Sequence, residues 1–277
     1  MLKIDAHQHF WVYDEIRDSW ISEEMAVLRK DYLPGDLLPV LQQHQFDGCI
    51  VVQSDQSNAE NRFQLANADA YDFIKGVVGW VDLQAADIKD QLAAWRSFKK
   101  LKGFRHILQG EADRALMLKP AFLNGIQALK VFDYTYDILI FPDQLKFATA
   151  LAARFPDQKF VLDHIAKPDI KNQKIADWQQ DIQALAALEN VSCKVSGMVT
   201  EAHWSDWKSG DFKAYLDVVF EAFGPKRVMY GSDWPVCLLA GSYGAVLNLV
   251  DEYTKALSAN ERDLFWGGNA TNFYNLI

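Results

Sequence analysis

The chain has 277 residues, the length of one large domain; half of them are hydrophobic and 23% are charged, the balance of an ordinary globular protein. A formal net charge of −9 repels phosphate backbones and argues against nucleic acid as a partner. No apolar run approaches the roughly 20 residues that cross a bilayer, and the opening Met1-Leu2-Lys3-Ile4-Asp5 has no apolar signal core, so neither a membrane nor secretion is expected and the cytoplasm is the expected setting.

Along the chain, short apolar runs alternate with longer stretches of helical period, the pattern of a parallel sheet with crossover helices. Eight candidate strands fall at residues 2–9, 48–53, 76–81, 103–108, 137–141, 159–164, 191–196 and 227–231. Eight is the number that closes a TIM barrel. The predicted fold is therefore α/β, a (β/α)8 barrel forming one domain over residues 1–277. Apolar stripes mark the helices: Ile88, Leu92 and Trp95; Ile175, Trp178, Ile182 and Leu185; Tyr215, Val219 and Phe220; Val246, Val250, Tyr253 and Leu257. Such stripes are core. Ser258-Ala259-Asn260-Glu261 is a capping box that starts an extra C-terminal helix. The longest insertion, from residue 10 to about 33, follows the first strand and holds Trp11, Tyr13 and Trp20; long loops at that end of a barrel strand help to form the active site.

Chemistry concentrates at the strand ends. Strict alternation in the first strand predicts Asp5, His7 and His9 facing the bore, with Leu2, Ile4 and Ala6 facing the helices. Two imidazoles about 7 Å apart on one face suit a divalent metal or the polarisation of a substrate carbonyl. His164 ends the sixth strand, and Lys167 in the next loop either meets a substrate oxygen or is solvated. Asp233 ends the eighth strand in Gly231-Ser232-Asp233-Trp234-Pro235, placed to act as a general base or to cap a turn. In the fourth strand Arg105 and His106 point opposite ways, and Arg105 is preferred as the inward donor to a carbonyl or carboxylate oxygen. Gln53 ends the second strand as a possible hydrogen-bond donor, while Lys194, Ser196, His203 and His44 read as structural or surface residues. Cys49, Cys193 and Cys237 are too few and too scattered for a disulfide framework. The chain has no phosphate-binding Gly-x-x-x-x-Gly-Lys loop and no Gly-x-Gly-x-x-Gly, so no organic cofactor is expected.

Three of these segments, taken in order, carry a family resemblance. Asp5-Ala6-His7-Gln8-His9-Phe10-Trp11, Asp163-His164-Ile165-Ala166-Lys167-Pro168 and Gly231-Ser232-Asp233-Trp234-Pro235 resemble motifs of the amidohydrolase-2 family, and Gly267-Gly268-Asn269-Ala270-Thr271-Asn272-Phe273-Tyr274 is similar to its C-terminal helix start. Within it the chain looks most like the sugar-lactone hydrolases acting on L-fucono- and L-rhamnonolactone. The resemblance implies hydrolysis of a small lactone with His7, His9, His164, Asp233 and Arg105 as catalytic residues. It implies either one divalent ion, zinc by expectation, on His7, His9 and Asp233, or hydrolysis without a metal. A two-metal site is not expected, because the fifth strand ends in Phe141-Pro142 without a histidine. Trp11, Gln53, Lys167 and Trp234 are the expected substrate contacts. Pyrone or muconolactone lactonases, and decarboxylases of unsaturated acids on the same barrel, are the neighbouring alternatives.

Overall fold

Gly48-Cys49-Ile50-Val51-Val52 is apolar on both faces, which suits a strand covered on both sides. In the computed structural model, which describes residues 2–276, this run is a strand with every residue buried. It is one of eight parallel strands: β1 (Ile4–Gln8), β2 (Gly48–Val52), β3 (Ile74–Gly79), β4 (Leu101–His106), β5 (Thr135–Ile138), β6 (Phe160–Leu162), β7 (Val191–Val195) and β8 (Val228–Tyr230). Each pairs with the next in sequence order. The crossovers are α1 (Pro34–Gln43), α2 (Asn58–Ala70), α3 (Ile88–Trp95), α4 (Pro120–Val131), α5 (Leu145–Arg154), α6 (Ala176–Ala186) and α7 (Gly210–Phe223). After β8 come α8 (Tyr243–Thr254), α9 (Ala259–Asp263) and α10 (Asn269–Phe273). The Ser258–Glu261 capping box forms as the sequence indicates. No helix among the described residues is long and apolar enough to cross a membrane.

The predicted strands all form, but β3, β4 and β5 begin two residues earlier than their apolar runs suggest. Their first residues include Lys75, Lys102 and Thr135, which read as loop, whereas Leu139 and Ile140 are buried beyond the end of β5 rather than paired in it. The predicted helix stripes lie in the core, with Trp178, Ile182, Leu185, Val219 and Val250 almost fully enclosed.

Two apolar layers define inside and outside. Cys49, Val51, Val77, Phe104, Tyr136, Leu162 and Cys193 pack outward in the large cluster under the helices. Ile4, Ala6, Ile50, Val52, Val78, Val161 and Met229 fill the bore, and Ala270, Phe273, Tyr274 and Leu276 join them from the C-terminal segment. That segment plugs the barrel floor.

Ile4 and Ala6 thus face the bore, which corrects the alternation read from the sequence. Asp5 points the other way, where its Oδ2 accepts a hydrogen bond from Tyr243 Oη of α8 at 3.1 Å. The cause is a bulge. Ile4 and Asp5 pair with Gly48 and Cys49, but the next pair is Gln8 with Val51, so β1 has one residue more than β2 over that interval. The extra residue resets the phase: Gln8 turns outward to Cys49 Sγ, and His7 and His9 turn inward.

Candidate active site

The barrel closes at its mouth through a seam between β1 and the segment after β8. Asp233 N–H donates to His7 O at 2.8 Å, and His9 N–H donates to Trp234 O at 2.7 Å. Backbone bonding therefore fixes the two histidines beside the aspartate before any side chain is considered. His164 arrives from the opposite wall on an unusual turn: His164, Ile165, Ala166 and Lys167 all have positive φ, between 49° and 60°. A run of left-handed residues without glycine costs about 1–2 kcal/mol per residue, and strain of this kind collects at functional sites. Gly197, itself at φ 61°, lets the segment after β7 pass close to the His164 ring.

The side chains converge. His7 Nε2 lies 3.2 Å from His9 Nε2, His9 Nε2 lies 3.3 Å from Asp233 Oδ1, and both His7 Nε2 and His164 Nε2 lie 3.9 Å from that same oxygen. All four residues are at most 5% exposed. Each histidine is anchored through its other nitrogen. His9 Nδ1 donates to the Val52 carbonyl at 2.7 Å, His164 Nδ1 meets Ser196 Oγ at 2.9 Å, and His7 Nδ1 faces Asp163 Oδ1 at 3.2 Å. Ligand atoms around an ion with bonds of about 2.0–2.1 Å stand about 3.3–3.4 Å apart in a tetrahedron, and anchoring the far nitrogen is how proteins orient metal-binding histidines. The donor atoms of His7, His164 and Asp233 all lie within 4.8 Å of one another. The residues fit a divalent cation. The geometry places His164 in the set beside His7 and Asp233, with His9 against it, where the sequence pointed to His7, His9 and Asp233.

Electrostatics agree with that chemistry. Burial pushes His7 and His164 well below the ordinary imidazole value, only partly offset by Asp163 and Asp233, so both rings are neutral with lone pairs to offer. Burial alone would raise the Asp233 carboxyl, but His164, His9 and Lys167 outweigh it and hold it below its ordinary value. Asp233 is an anion at neutral pH. Among the described residues none donates to its Oδ2.

Arg105 faces the bore, as preferred over His106. Its Nη1 lies 3.3 Å from His7 Nε2 and 3.1 Å from Asp163 Oδ2. His106 turns away to Glu111 Oε1 at 2.8 Å and packs edge-on against Phe122 of α4. Gln53 is fully buried and holds Arg105: its carbonyl accepts from Arg105 Nη2 and its amide donates back to Arg105 O at 3.2 Å. Its contact is with the arginine and not with the mouth. Trp11 and Trp234 are 2% and 3% exposed and lie edge-on against Tyr32 in a packed aromatic cluster, so neither presents an open face for stacking.

Lys167 is at the rim, 2.9 Å from Glu201 Oε1, and its charge acts on both His164 and Asp233. The pair borders a groove of about 1250 Å³ formed by the loops after β1, β5, β6 and β7, with Glu24, Phe141, His203 and Trp204 also on its walls. The four converging residues do not line this groove; it approaches them at Lys167, three positions from His164. Sequence reasoning read Lys194 and Ser196 as structural or surface residues and gave Asp163 no role of its own. Lys194 is fully buried, in ion-pair contact with Asp137 and 3.0 Å from Asp163 Oδ1. The available signal was a charged residue inside the otherwise apolar strand Val191-Ser192-Cys193-Lys194-Val195.

A barrel whose mouth gathers histidines from the first and sixth strands and an aspartate from the eighth matches a family at sequence level as well. Residues 4–276 match the family model described as Amidohydrolase, and the chain belongs to that family. It is 43% identical to an L-fucono-1,5-lactonase of Burkholderia multivorans over 99% of this chain and 96% of the relative. It is 35% identical to an L-fucono-1,5-lactonase of Burkholderia ambifaria, over 99% of this chain and 96% of that one. The crystal structure of an amidohydrolase from Burkholderia multivorans with bound zinc superposes with a TM-score of 0.96 at 43% identity, covering 100% of both chains.

Proposed function

We propose that the protein is a metal-dependent hydrolase that opens a sugar aldonolactone, with an L-fuconolactone-type ring as the first candidate. The observation that carries this reading is the convergence of His7, His9, His164 and Asp233 at the mouth of a barrel similar over its whole length to two L-fucono-1,5-lactonases. Its place is a reducing cytoplasm, consistent with three free, buried cysteines.

The reaction adds water across an ester. His7, His164 and Asp233 would hold the ion, with His9 against them, and a divalent cation there supplies Lewis-acid polarisation of a carbonyl oxygen. Asp233 takes the proton from the attacking water through Oδ2 as oxygen bonds to the lactone carbonyl carbon. The ring C–O bond then breaks, and the same proton passes to the departing ring oxygen, which becomes the alcohol of a hydroxy acid. Arg105 Nη1, beside His7 Nε2, would donate to the carbonyl oxygen as negative charge develops there. Lys167 and Glu201 offer a donor and an acceptor to ring hydroxyls at the rim. The neutral substrate meets no repulsion from the acidic protein.

A panel of aldonolactones in weak buffer with a pH indicator tests the reading, because each ring opened releases one proton at neutral pH. Acid release on L-fuconolactone and its close stereoisomers is the expected result. Silence across the sugar series, with turnover of pyrone lactones or CO2 release from unsaturated acids, overturns it.

A further inference from the structure

Beneath the converging histidines the bore holds a second layer of charge, of which the hydrolysis proposed above uses only Arg105. Asp137 of β5, Asp163 at the end of β6 and Lys194 of β7 are fully buried, and Arg105 of β4 is 3% exposed. Lys194 Nζ contacts Asp137 Oδ2, stands 3.0 Å from Asp163 Oδ1, and lies 3.3 Å from His7 Nδ1. From the barrel floor, Tyr274 Oη donates to Asp137 Oδ2 at 2.7 Å. Tyr274 belongs to the segment that plugs the bore. A continuous polar path therefore runs from the C-terminal plug, through Asp137 and Lys194, to the far nitrogen of His7.

This layer is not needed to fill space. Replacing buried ion pairs with apolar side chains is often neutral or stabilising, and Ile50, Val52, Val78 and Val161 already fill the neighbouring bore. Its consequence lies at His7 Nδ1, which faces an acceptor, Asp163 Oδ1 at 3.2 Å, and a donor, Lys194 Nζ at 3.3 Å. One nitrogen cannot serve both. With the proton on Nδ1, the ring donates to Asp163 and Nε2 carries the lone pair a metal needs. If Nδ1 instead accepts from Lys194, the proton sits on Nε2 and blocks ligation. The outcome depends on where the three ammonium protons of Lys194 are directed. Asp137, fixed by Tyr274, competes for them.

We propose that Asp137 and Tyr274 are positioning residues that hold the Lys194 ammonium on carboxylates, keep the His7 proton on Nδ1 and leave Nε2 open, so that the C-terminal plug sets the metal affinity of the site. This rests on His7 being a metal ligand, as in the function proposed above.

The test measures zinc affinity by chelator competition in the full chain, together with the His7 tautomer by 15N NMR of the metal-free protein. Wild type is measured first, because failure to bind zinc there overturns the metal reading itself. Asp137→Asn keeps the side chain's shape and removes its charge; it should weaken zinc binding by about 10–100-fold, the range for residues that orient metal ligands, and move the His7 proton to Nε2. Tyr274→Phe keeps the ring in the plug and should shift affinity the same way by less. Tyr253→Phe, which removes a comparable bond to Asp217 at 3.0 Å far from the bore, should leave zinc binding unchanged. Unchanged affinity and tautomer in Tyr274→Phe, or an equal loss in Tyr253→Phe, overturns the proposal; if Asp137→Asn does not fold, Tyr274→Phe decides alone.

Discussion

Gly197→Ala places one methyl group against the active site and asks whether the position of His164 matters. A Cβ at residue 197 would stand 2.4 Å from His164 Nδ1, where ordinary contact begins near 3.4 Å, so the imidazole must withdraw by about 1 Å. The ring has little room to do so, because it is 4% exposed and Nδ1 is bonded to Ser196 Oγ at 2.9 Å. A misplacement of about 1 Å costs on the order of 10²-fold in rate. The backbone adds its own cost: Gly197 has φ 61°, and a non-glycine residue there loses roughly 1–3 kcal/mol, a fall of several degrees in Tm. Gly224→Ala separates the two effects, since Gly224 has φ 67° and a methyl group added there would meet nothing within 4 Å. Both variants should melt earlier in a thermal scan, and only Gly197→Ala should lose kcat/KM on the lactone by about two orders of magnitude. Equal activity in the two variants would refute the reasoning that His164 must sit where it does.

Asp233→Asn preserves the seam hydrogen bond to His7 O, which uses backbone only, and should fold while losing at least about 10²-fold in kcat, the lower end of general acid–base assistance; steady-state kinetics with a circular-dichroism check would show it. Because burial keeps His7 and His164 titrating below the ordinary 6.5, and His164, His9 and Lys167 outweigh burial to keep Asp233 titrating below the ordinary 3.8, kcat/KM should stay on its plateau at pH 6.5 and fall only at more acid values. A bound cation moves all three groups the same way, and an acid limb centred at or above 6.5 would contradict the assignment. Lys167→Met removes the rim pair with Glu201, which is worth about 1 kcal/mol or less in stability. KM for a hydroxylated lactone should rise with kcat and Tm nearly unchanged; a fall in kcat alone would move Lys167 from binding to chemistry.

Much of this was legible in the sequence because the barrel writes its periodicity plainly. Gly48-Cys49-Ile50-Val51-Val52 could be read directly as a doubly covered strand, and His-x-His, His164 and Asp233 stand at strand ends where barrel sites form. Asp5 was misplaced because period two carries no mark of an extra residue; only the pairing of Gln8 with Val51 reveals the bulge. Asp137 was assigned no role, and Lys194 was read as structural or surface, for a different reason. A lone charge in a strand reads as exposed, and these neutralise one another only after β5 and β7 are brought across the bore. The left-handed turn from His164 to Lys167 contains no glycine to announce it. Trp11 and Trp234 were expected to contact substrate, but an indole's exposure depends on the insertion folding back through the Trp11–Tyr32 pairing, which composition does not encode.

Titrating zinc into chelator-stripped protein while following the opening of L-fucono-1,5-lactone measures whether one ion serves this one reaction. Activity should be lost on stripping, return linearly as zinc is added, and saturate at one zinc per chain. Full turnover in the stripped protein, or stoichiometric zinc binding with no hydrolysis of the lactone, would contradict it.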